Sequence, residues 1–226
     1  MIHKQLIVIL ITLSLICPAQ DWNWLLLNES DGICSFRNDG DDDQPPEFKA
    51  ITTLNCRLDI IAVILRDFTN YPHWMPACVE ARLLDQTAES DLLLYYRHHA
   101  PFPFKDRDAV LHVTTTLDTV NKTLYIQSRN IDDQRLPFSD CCVRMTRMEA
   151  DWTIQYLDDD QTRIEYRLLT EPGGHIPAKY TSQFTAKLPH ETLTGLRRMT
   201  AQPKYLKKAE SSHEKELIEK YFINKE

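Results

Sequence analysis

The chain has 226 residues, of which 42% are hydrophobic, and this is enough for one packed domain of moderate size. A formal net charge of -7 excludes a basic surface that neutralises phosphates, so we expect no nucleic-acid partner. Only five glycines occur, which argues against a glycine-rich nucleotide-binding fold.

The first twenty residues, MIHKQLIVILITLSLICPAQ, have the pattern of a secretory signal peptide. One lysine precedes an apolar run over residues 6–16, and small or compact residues follow it. This run is too short to span a bilayer, which needs about 20 residues. We therefore expect cleavage after Ala19 and export to the periplasm of a Gram-negative bacterium. Secretion outside the cell and an uncleaved anchor are the alternatives.

Beyond this segment the chain has a set of cysteines with no C-x-x-C or His/Cys ligand spacing: Cys34, Cys56, Cys78, Cys141 and Cys142. An exported chain meets oxidising conditions, so disulfides are permitted, but the sequence does not determine the pairing. Adjacent cysteines on a strand point to opposite faces. We expect buried thiols with at most one bridge, no metal site and no cofactor.

The N-terminal half is predicted to alternate helices and strands. Residues 21–32, DWNWLLLNESDG, are interpreted as a short helix, and residues 33–38 and 47–56 as two strands joined by an acidic loop. Apolar residues at helical spacing predict a helix over 58–68, with Asp59 near its start. The motif YPHWMP (residues 71–76) then ends this helix.

The middle of the chain is predicted to consist of consecutive strands with short links, which favours an antiparallel meander. The predicted strands cover residues 80–86, 91–100, 109–118, 123–130, 143–157 and 162–170. A glycine turn at 171–174 ends the sheet, and a long helix is predicted from Pro177 to about Met199. Residues 203–226 are highly charged and predict a solvated helical extension. This order of elements predicts an α+β fold.

One loop in this series has an unusual composition. Residues 101–108 read PFPFKDRD, in which two prolines stiffen the backbone and stop the preceding strand. Phe102 and Phe104 then lie on an irregular loop with no evident core to enter. The loop is expected either to cover something apolar or to place its aromatics in an ordinary core.

Several segments in this order resemble the START (StAR-related lipid transfer) domains. They are DGICSFRN and FKAITTL, then ILRDFTNYPHWMP and PFPFKDRDAV, and finally EPGGHIPAKYTSQFTAKLPHETLTGLRR. The resemblance runs from roughly Trp22 to Lys207. It implies a helix-grip fold, in which a curved antiparallel sheet wraps a long C-terminal helix around a hydrophobic tunnel. The implied organisation is a signal peptide (1–19), a START-like domain (20–208) and a charged helical tail (209–226).

The resemblance also implies a site. Residues 100–108 would form the loop at the tunnel mouth, with Arg107 and Asp108 as its structural anchor. The inward faces of the strands and of the last helix would line the tunnel. The candidate ligand-binding residues are Trp74, Tyr96, Phe102, Phe104, Met148, Trp152, Ile164, Tyr166, Leu168, Ile176, Tyr180 and Phe184. Each of them also fits an ordinary core position.

The expected function is non-catalytic binding, and in its fuller form transfer, of a lipid or other hydrophobic molecule by a monomer that contacts membranes transiently. One alternative is a cyclase- or hydrolase-like enzyme that uses His112, Tyr96 or Tyr166 as an acid–base group. Another is an envelope interaction module whose cavity has filled in. His98 and His99 face opposite sides of a strand, and each is expected at the surface or bonded within a loop. The alternative is that one side of the trio Arg97, His98 and His99 enters the cavity near its mouth.

Overall fold

The computed structural model describes residues 23–40, 44–133, 136 and 140–223, so the predicted signal peptide lies outside the described residues. Ten strands in this part of the chain form one sheet. They are β1 (Leu25–Ser30), β2 (Ile33–Asn38), β3 (Glu47–Leu54), β4 (Cys78–Ala88), β5 (Asp91–His98), β6 (Asp106–Asp118), β7 (Thr123–Ile131), β8 (Cys142–Arg144), β9 (Arg147–Tyr156) and β10 (Thr162–Glu171).

The helices occur in two places: between β3 and β4, and after β10. They are α1 (Leu58–Arg66), a 3-10 helix (Phe68–His73), α2 (Ala178–Thr185), α3 (Leu188–Thr200), α4 (Pro203–Glu210), α5 (His213–Ile218) and a final π-helical turn (Glu219–Ile223). No helix in the described ranges has both the length and the apolar content needed to cross a membrane.

The sheet is antiparallel and curved, with the order β1-β2-β3-β10-β9-β7-β6-β5-β4, and β8 pairs parallel with β6 off this path. Consecutive strands are neighbours in two meanders, and β10 joins these meanders by pairing with β3 and β9. Burial alternates along the whole of β10, because successive side chains point to opposite faces. Helix α3 packs against β2, β3 and β10, and α1 packs against α3.

Gly195 allows α3 to approach the segment that follows the 3-10 helix. A Cβ atom at this position would lie 2.1 Å from the carbonyl oxygen of Trp74, which is far inside any permitted contact. Trp74 itself is buried, and its ring packs edge-on against Tyr71 with a centroid distance of 5.3 Å. Because Gly195 has no side chain, α3 can pack closely against the core at this position.

The predicted helix over residues 21–32 is wrong, because Leu25–Ser30 forms strand β1. Asp31 and Gly32 both have positive φ angles, of 52° and 68°, which suits the tight hairpin that returns the chain into β2. Pairing with β2 overrides the helical pattern. Trp24 is buried at the start of this hairpin, with the Lys49 ammonium 4.1 Å from its ring centroid.

The prediction of one continuous helix from Pro177 to about Met199 is also wrong. The chain forms α2 and α3, which are separated at Ala186 and Lys187. Pro189 lies in the first turn of α3, where its missing N–H costs no hydrogen bond, whereas inside one long helix it would remove one. The two helices can therefore adopt different directions.

Two further segments differ from their predictions. Residues 143–157 form two strands, because the backbone N–H of Met145 donates to the Asp108 carbonyl at 2.9 Å and diverts the chain between β8 and β9. The C-terminal segment is helical but is not merely solvated. Ile218 and Phe222 are buried, so α5 and the final turn pack onto the domain.

Candidate functional site

The loop that joins β5 to β6 (residues 99–105, the β5–β6 loop) exposes an aromatic side chain at its tip. Phe102 is 95% exposed, and it precedes a cis peptide bond to Pro103. Phe104 is half-buried, and its backbone N–H donates to the Pro101 carbonyl at 3.1 Å. The loop is therefore a tight, proline-stiffened turn that presents Phe102 to the solvent.

Arg107 anchors the base of this loop through backbone carbonyls. Its guanidinium donates to the carbonyl of Lys105, to that of Pro172 at 3.3 Å and to that of Gly173 at 3.3 Å. Its Cζ also lies 5.9 Å from the centroid of the Phe104 ring. Arg107 is only 3% exposed, so one buried cation joins the β5–β6 loop to the glycine turn after β10.

Asp108 makes a second connection on the other side of β6. Its carboxylate accepts from Arg144 Nε at 2.8 Å and from Arg144 Nη2 at 3.3 Å. Tyr95 donates its hydroxyl to the same carboxylate at 3.4 Å. This bidentate pair holds β8 against β6 directly below the loop, with 4% of the Asp108 side chain and 14% of the Arg144 side chain exposed.

A pocket of about 30 Å³, the outer pocket, lies between the loop and helix α2. Its walls are His98, Ala100, Pro101, Arg107, Met145, Thr170, Pro172, Ile176, Tyr180, Thr181, Phe184 and Thr185. Burial and, to a smaller extent, the neighbouring Arg107 lower the pKa of His98 from 6.5 to about 4. His98 is therefore neutral at neutral pH, and its ring lies 5.6 Å from that of Phe184.

A second void of about 50 Å³, the inner cavity, lies deeper between the sheet and α1. Its walls are Leu65, Phe68, Tyr71, Met75, Ala81, Leu94, Tyr95, Tyr96, Leu111, Val113, Ile126, Ser128, Met148, Ala150, Trp152 and Tyr166. None of these described wall residues carries a formal charge at neutral pH. The Trp152 and Tyr166 rings pack together, with a centroid distance of 4.2 Å.

The tyrosines of the inner cavity are held neutral. Burial raises the pKa of Tyr71, Tyr96 and Tyr166 well above the usual value of 10. Tyr71 donates its hydroxyl to the Leu65 carbonyl at 2.5 Å, and the Tyr96 hydroxyl lies 3.8 Å from the sulfur of Met75. These groups offer weak polarity inside an apolar space, but no acid or base that titrates near neutral pH.

The outer pocket and the inner cavity follow each other along three segments of the sheet, two of them neighbours and the third three strands away. On β5, Tyr96 lines the cavity and His98 lines the pocket. On β10, Tyr166 and Thr170 have the same relation, and Met148 and Met145 repeat it at β9. The two voids therefore lie in line between the β5–β6 loop and the interior, with packed side chains such as Leu168 between them.

The predicted site residues divide among these regions. Tyr96, Met148, Trp152 and Tyr166 line the inner cavity, while Ile176, Tyr180 and Phe184 line the outer pocket. Phe102 and Phe104 lie on the loop, and Arg107 and Asp108 lie at its base. Trp74, Ile164 and Leu168 pack in the main core and do not line either void. A ligand-binding role stays a prediction for each of them.

The structure places the three candidate histidines in different environments. The prediction that His98 lies at the surface or in a loop bond is wrong, because it is 9% exposed and faces the outer pocket. His112, an acid–base candidate in the enzyme alternative, points away from the inner cavity and bonds Asp91 through Nε2 at 3.1 Å. His99 is exposed and bonds Asp106 at 3.0 Å.

Other wall residues were missed by the sequence reasoning. Leu65, Phe68 and Tyr71 come from α1 and the 3-10 helix, in which no site residue was predicted. Thr170 and Thr185 meet across the outer pocket with their hydroxyl oxygens 3.3 Å apart. The helical spacing of Leu65 and the two-residue spacing of Thr170 from Leu168 predict inward faces for both residues. Neither pattern predicts that they lie beside a void.

The structure also bears on the cysteines and on metal binding. Cys56, Cys78 and Cys142 carry thiols, of which the first two are buried. Burial raises the pKa of Cys56 to about 11 and that of Cys78 to about 12, so neither is a reactive thiolate. Within the described ranges, no three His, Cys, Asp or Glu side chains are grouped to hold a metal ion.

Comparison with known proteins identifies relatives over most of the domain. Residues 63–197 match the family described as polyketide cyclase / dehydrase and lipid transport. A STAR-related lipid transfer protein from Xanthomonas axonopodis is 27% identical, with a TM-score of 0.72 over 80% of this chain and 99% of that one. An uncharacterised protein of Pseudomonas aeruginosa is 28% identical over 79% of this chain and 86% of its own. The phosphatidylcholine transfer protein of Rattus norvegicus is 23% identical over 69% of this chain and 73% of its own.

Proposed function

The chain belongs to the polyketide cyclase / dehydrase and lipid transport family and has the START helix-grip fold, and from this premise we propose that it binds a lipid non-covalently and carries it between membranes. The observation that supports this most is the inner cavity. Its walls are apolar or aromatic and carry no charge among the described residues, and the outer pocket lies further along the same strands, beneath an exposed aromatic loop.

Affinity for such a ligand needs few polar contacts. Each CH₂ group removed from water contributes about 0.8 kcal/mol, so a partly buried acyl chain binds by its apolar surface alone. The polar head would lie in the outer pocket, where the Arg107 cation, neutral His98 and two threonine hydroxyls are gathered. No described carboxylate forms an ion pair with Arg107, which favours an anionic or strongly polar head.

Binding requires movement of the walls. The inner cavity of about 50 Å³ is smaller than the ~150 Å³ that holds a benzene molecule. An acyl chain must therefore displace flexible side chains such as Met75 and Met148. We propose that the β5–β6 loop and α2 separate to admit the ligand and then close over it.

Membrane contact is assigned to the exposed aromatic tip of the same loop. Phe102 is 95% exposed, and Tyr180, on the facing helix α2, is 59% exposed. The chain's negative charge argues against electrostatic attraction to anionic lipids, so contact would be transient and would depend on these apolar side chains. The protein would act as a monomer, and the signal-peptide pattern supports a periplasmic location.

Two measurements test binding and transfer separately. Native mass spectrometry after incubation with a bacterial lipid extract should show added masses equal to one lipid. Ser128→Leu, which fills part of the inner cavity, should reduce the loaded fraction, whereas Gln127→Leu on the exposed face of the same strand should not. Absence of any bound lipid in the wild-type protein would contradict the proposal.

Transfer is measured between donor phosphatidylcholine vesicles that carry a pyrene-labelled lipid and unlabelled acceptor vesicles. Phe102→Asp should slow transfer at least several-fold and change the loaded fraction far less, because Phe102 is 95% exposed and lines neither void. The control is Val120→Asp, which changes another exposed apolar side chain (81%) in the distant β6–β7 turn. Equal rates for the two variants would refute the role of the loop in transfer.

A further inference from the structure

A third void lies at the opposite end of the molecule from the β5–β6 loop. This far pocket has a volume of about 120 Å³ and lies under helix α5. Its floor is apolar and comes from α1, β6, β7 and α5: Leu58, Ala62, Leu117, Leu124, Ile126, Leu217 and Ile218. The remaining wall residues, Arg66, Glu89, Ser90, Thr115, His213 and Glu214, form a polar rim.

Two elements show that the far pocket continues the line of the inner cavity. On α1, Leu65 lines the inner cavity, while Ala62 and Leu58, one and two turns earlier, line the far pocket. On β6, residues 111 and 113 line the inner cavity, and residues 115 and 117 line the far pocket. The two voids are therefore arranged end to end along the strands.

One side chain is common to the walls of the two voids. Ile126 on β7 belongs to the walls of both voids, with Ser128 on the inner side and Leu124 on the far side. Ile126 is only partly buried, because it faces space in both directions. Ile126 is therefore a side chain that a thin apolar chain would displace in passing from one void to the other.

The far pocket is built to receive an apolar group and not a polar head. Its ionisable rim residues contact one another: Arg66 Nε lies 3.2 Å from Glu214 Oε1, and His213 Nε2 lies 3.2 Å from Glu89 Oε2. Both contacts join α5 to the body of the domain. They leave the floor apolar, and they fix α5 as the end wall.

We propose that the far pocket receives the distal end of one unbranched acyl chain, whose polar head remains in the outer pocket near Arg107. Helix α5 thereby sets the longest chain that the protein accepts. This inference rests on the proposed lipid-binding function and adds the ligand class, a single-chain amphiphile such as a long-chain fatty acid. The distance along β6 from Arg107 to Leu117 is about 30 Å, which suits an extended chain and not a compact ring system.

The size of the pocket determines the expected effect. A cavity of about 150 Å³ holds the six carbons of benzene, so the far pocket of about 120 Å³ holds on the order of four to five carbons of a chain. Each CH₂ group that enters should strengthen binding about fourfold. Affinity should therefore rise with chain length until the chain reaches α5, and then stop rising.

The test is calorimetric titration of the full chain with straight-chain fatty acids from octanoate to eicosanoate, below their micellar concentrations. Leu124→Trp fills the far pocket from β7. The matched control is Gln127→Trp, which adds the same side chain on the exposed face of that strand. Leu217→Trp fills the pocket from the α5 wall, and it is read in the same way if Leu124→Trp does not fold.

The expected result is that Leu124→Trp lowers the chain length of tightest binding by about four carbons, leaves octanoate unchanged and weakens the longest chains at least 50-fold. Gln127→Trp should behave as the wild type. If Leu124→Trp weakens the binding of all chain lengths equally, or leaves the chain length of tightest binding unchanged, the role of the far pocket is overturned. The proposal of lipid binding is not affected by that result. If the wild-type protein binds no fatty acid but does retain another lipid in native mass spectrometry, the ligand class is overturned. If it retains no lipid at all, the proposed function fails as well.

Discussion

The ion pair between Asp108 and Arg144 should contribute strongly to stability, because it is buried beneath the β5–β6 loop. The carboxylate is 4% exposed and accepts two hydrogen bonds from the guanidinium, at 2.8 and 3.3 Å. Arg144→Met removes the cation but keeps much of the apolar stem. Among the described residues, the Asp108 carboxylate then remains buried with the Tyr95 hydroxyl, 3.4 Å away, as its side-chain donor.

Removing one partner of a buried pair costs about 3–5 kcal/mol, because the other charge is left uncompensated. Since Arg144 retains 14% side-chain exposure, we expect the lower end of this range, about 3 kcal/mol. Arg147→Met is the matched control. Arg147 contacts Glu149 at 2.6 Å, but its side chain is 33% exposed, and such a surface pair contributes about 0–1 kcal/mol.

Urea unfolding followed by tryptophan fluorescence at neutral pH measures both variants. The midpoint should fall for Arg144→Met with an unchanged m-value, and it should hardly move for Arg147→Met. Hydrogen exchange should also become faster in the β5–β6 loop of Arg144→Met, because β8 supports the base of that loop. If Arg144→Met cost less than 1 kcal/mol, the pair would not be the support that its burial indicates.

Two further predictions concern His98 and Gly195. The pKa of His98 is about 4 in the fold against 6.5 in the unfolded chain, so its contribution to stability is complete above pH 6.5 and is lost as the pH falls toward 4. The wild type should therefore lose about 3 kcal/mol more than His98→Gln over that interval, and parallel stability–pH curves would contradict this burial effect. Gly195→Ala should destabilise by about 1–3 kcal/mol, because its Cβ would lie 2.1 Å from the Trp74 carbonyl. Thr194→Ala, at the neighbouring exposed position, is its control in the same denaturation assay, and similar midpoints would show that α3 shifts without cost.

The strand region was predictable because its signal is local. Alternation of large apolar with polar residues from Ile164 to Leu168 predicts one buried face, and the structure places that face inward along all of β10. The polar breaks between strands also marked the hairpins of the meander. The loop containing Phe102 was correctly expected outside the strands, since Pro101 and Pro103 cannot supply ladder hydrogen bonds.

Errors arose where distant partners overrode a local pattern. The run Leu25–Leu27 has no alternation and looked helical, yet it pairs with β2 through the Asp31–Gly32 turn. The helix break before Pro189 was visible in the sequence as a missing N–H, but the continuous apolar stripe from Tyr180 to Leu188 concealed it. His98 looked like a surface residue because its neighbours Arg97 and His99 are polar.

Spacing along the chain predicts which side chains face inward, because it defines the two faces of a strand and the apolar stripe of a helix. What each inward side chain contacts depends on how distant elements pack. Ile164, Tyr166 and Leu168 share one face of β10, but Tyr166 borders the inner cavity while the other two are closed by packed neighbours. The charged C-terminal segment is a second example. Its helicity was predicted from the sequence, whereas the burial of Ile218 over the far pocket depends on α1 and β7, which are distant in the sequence. A cavity is the space left between such distant elements, so no local pattern encodes it.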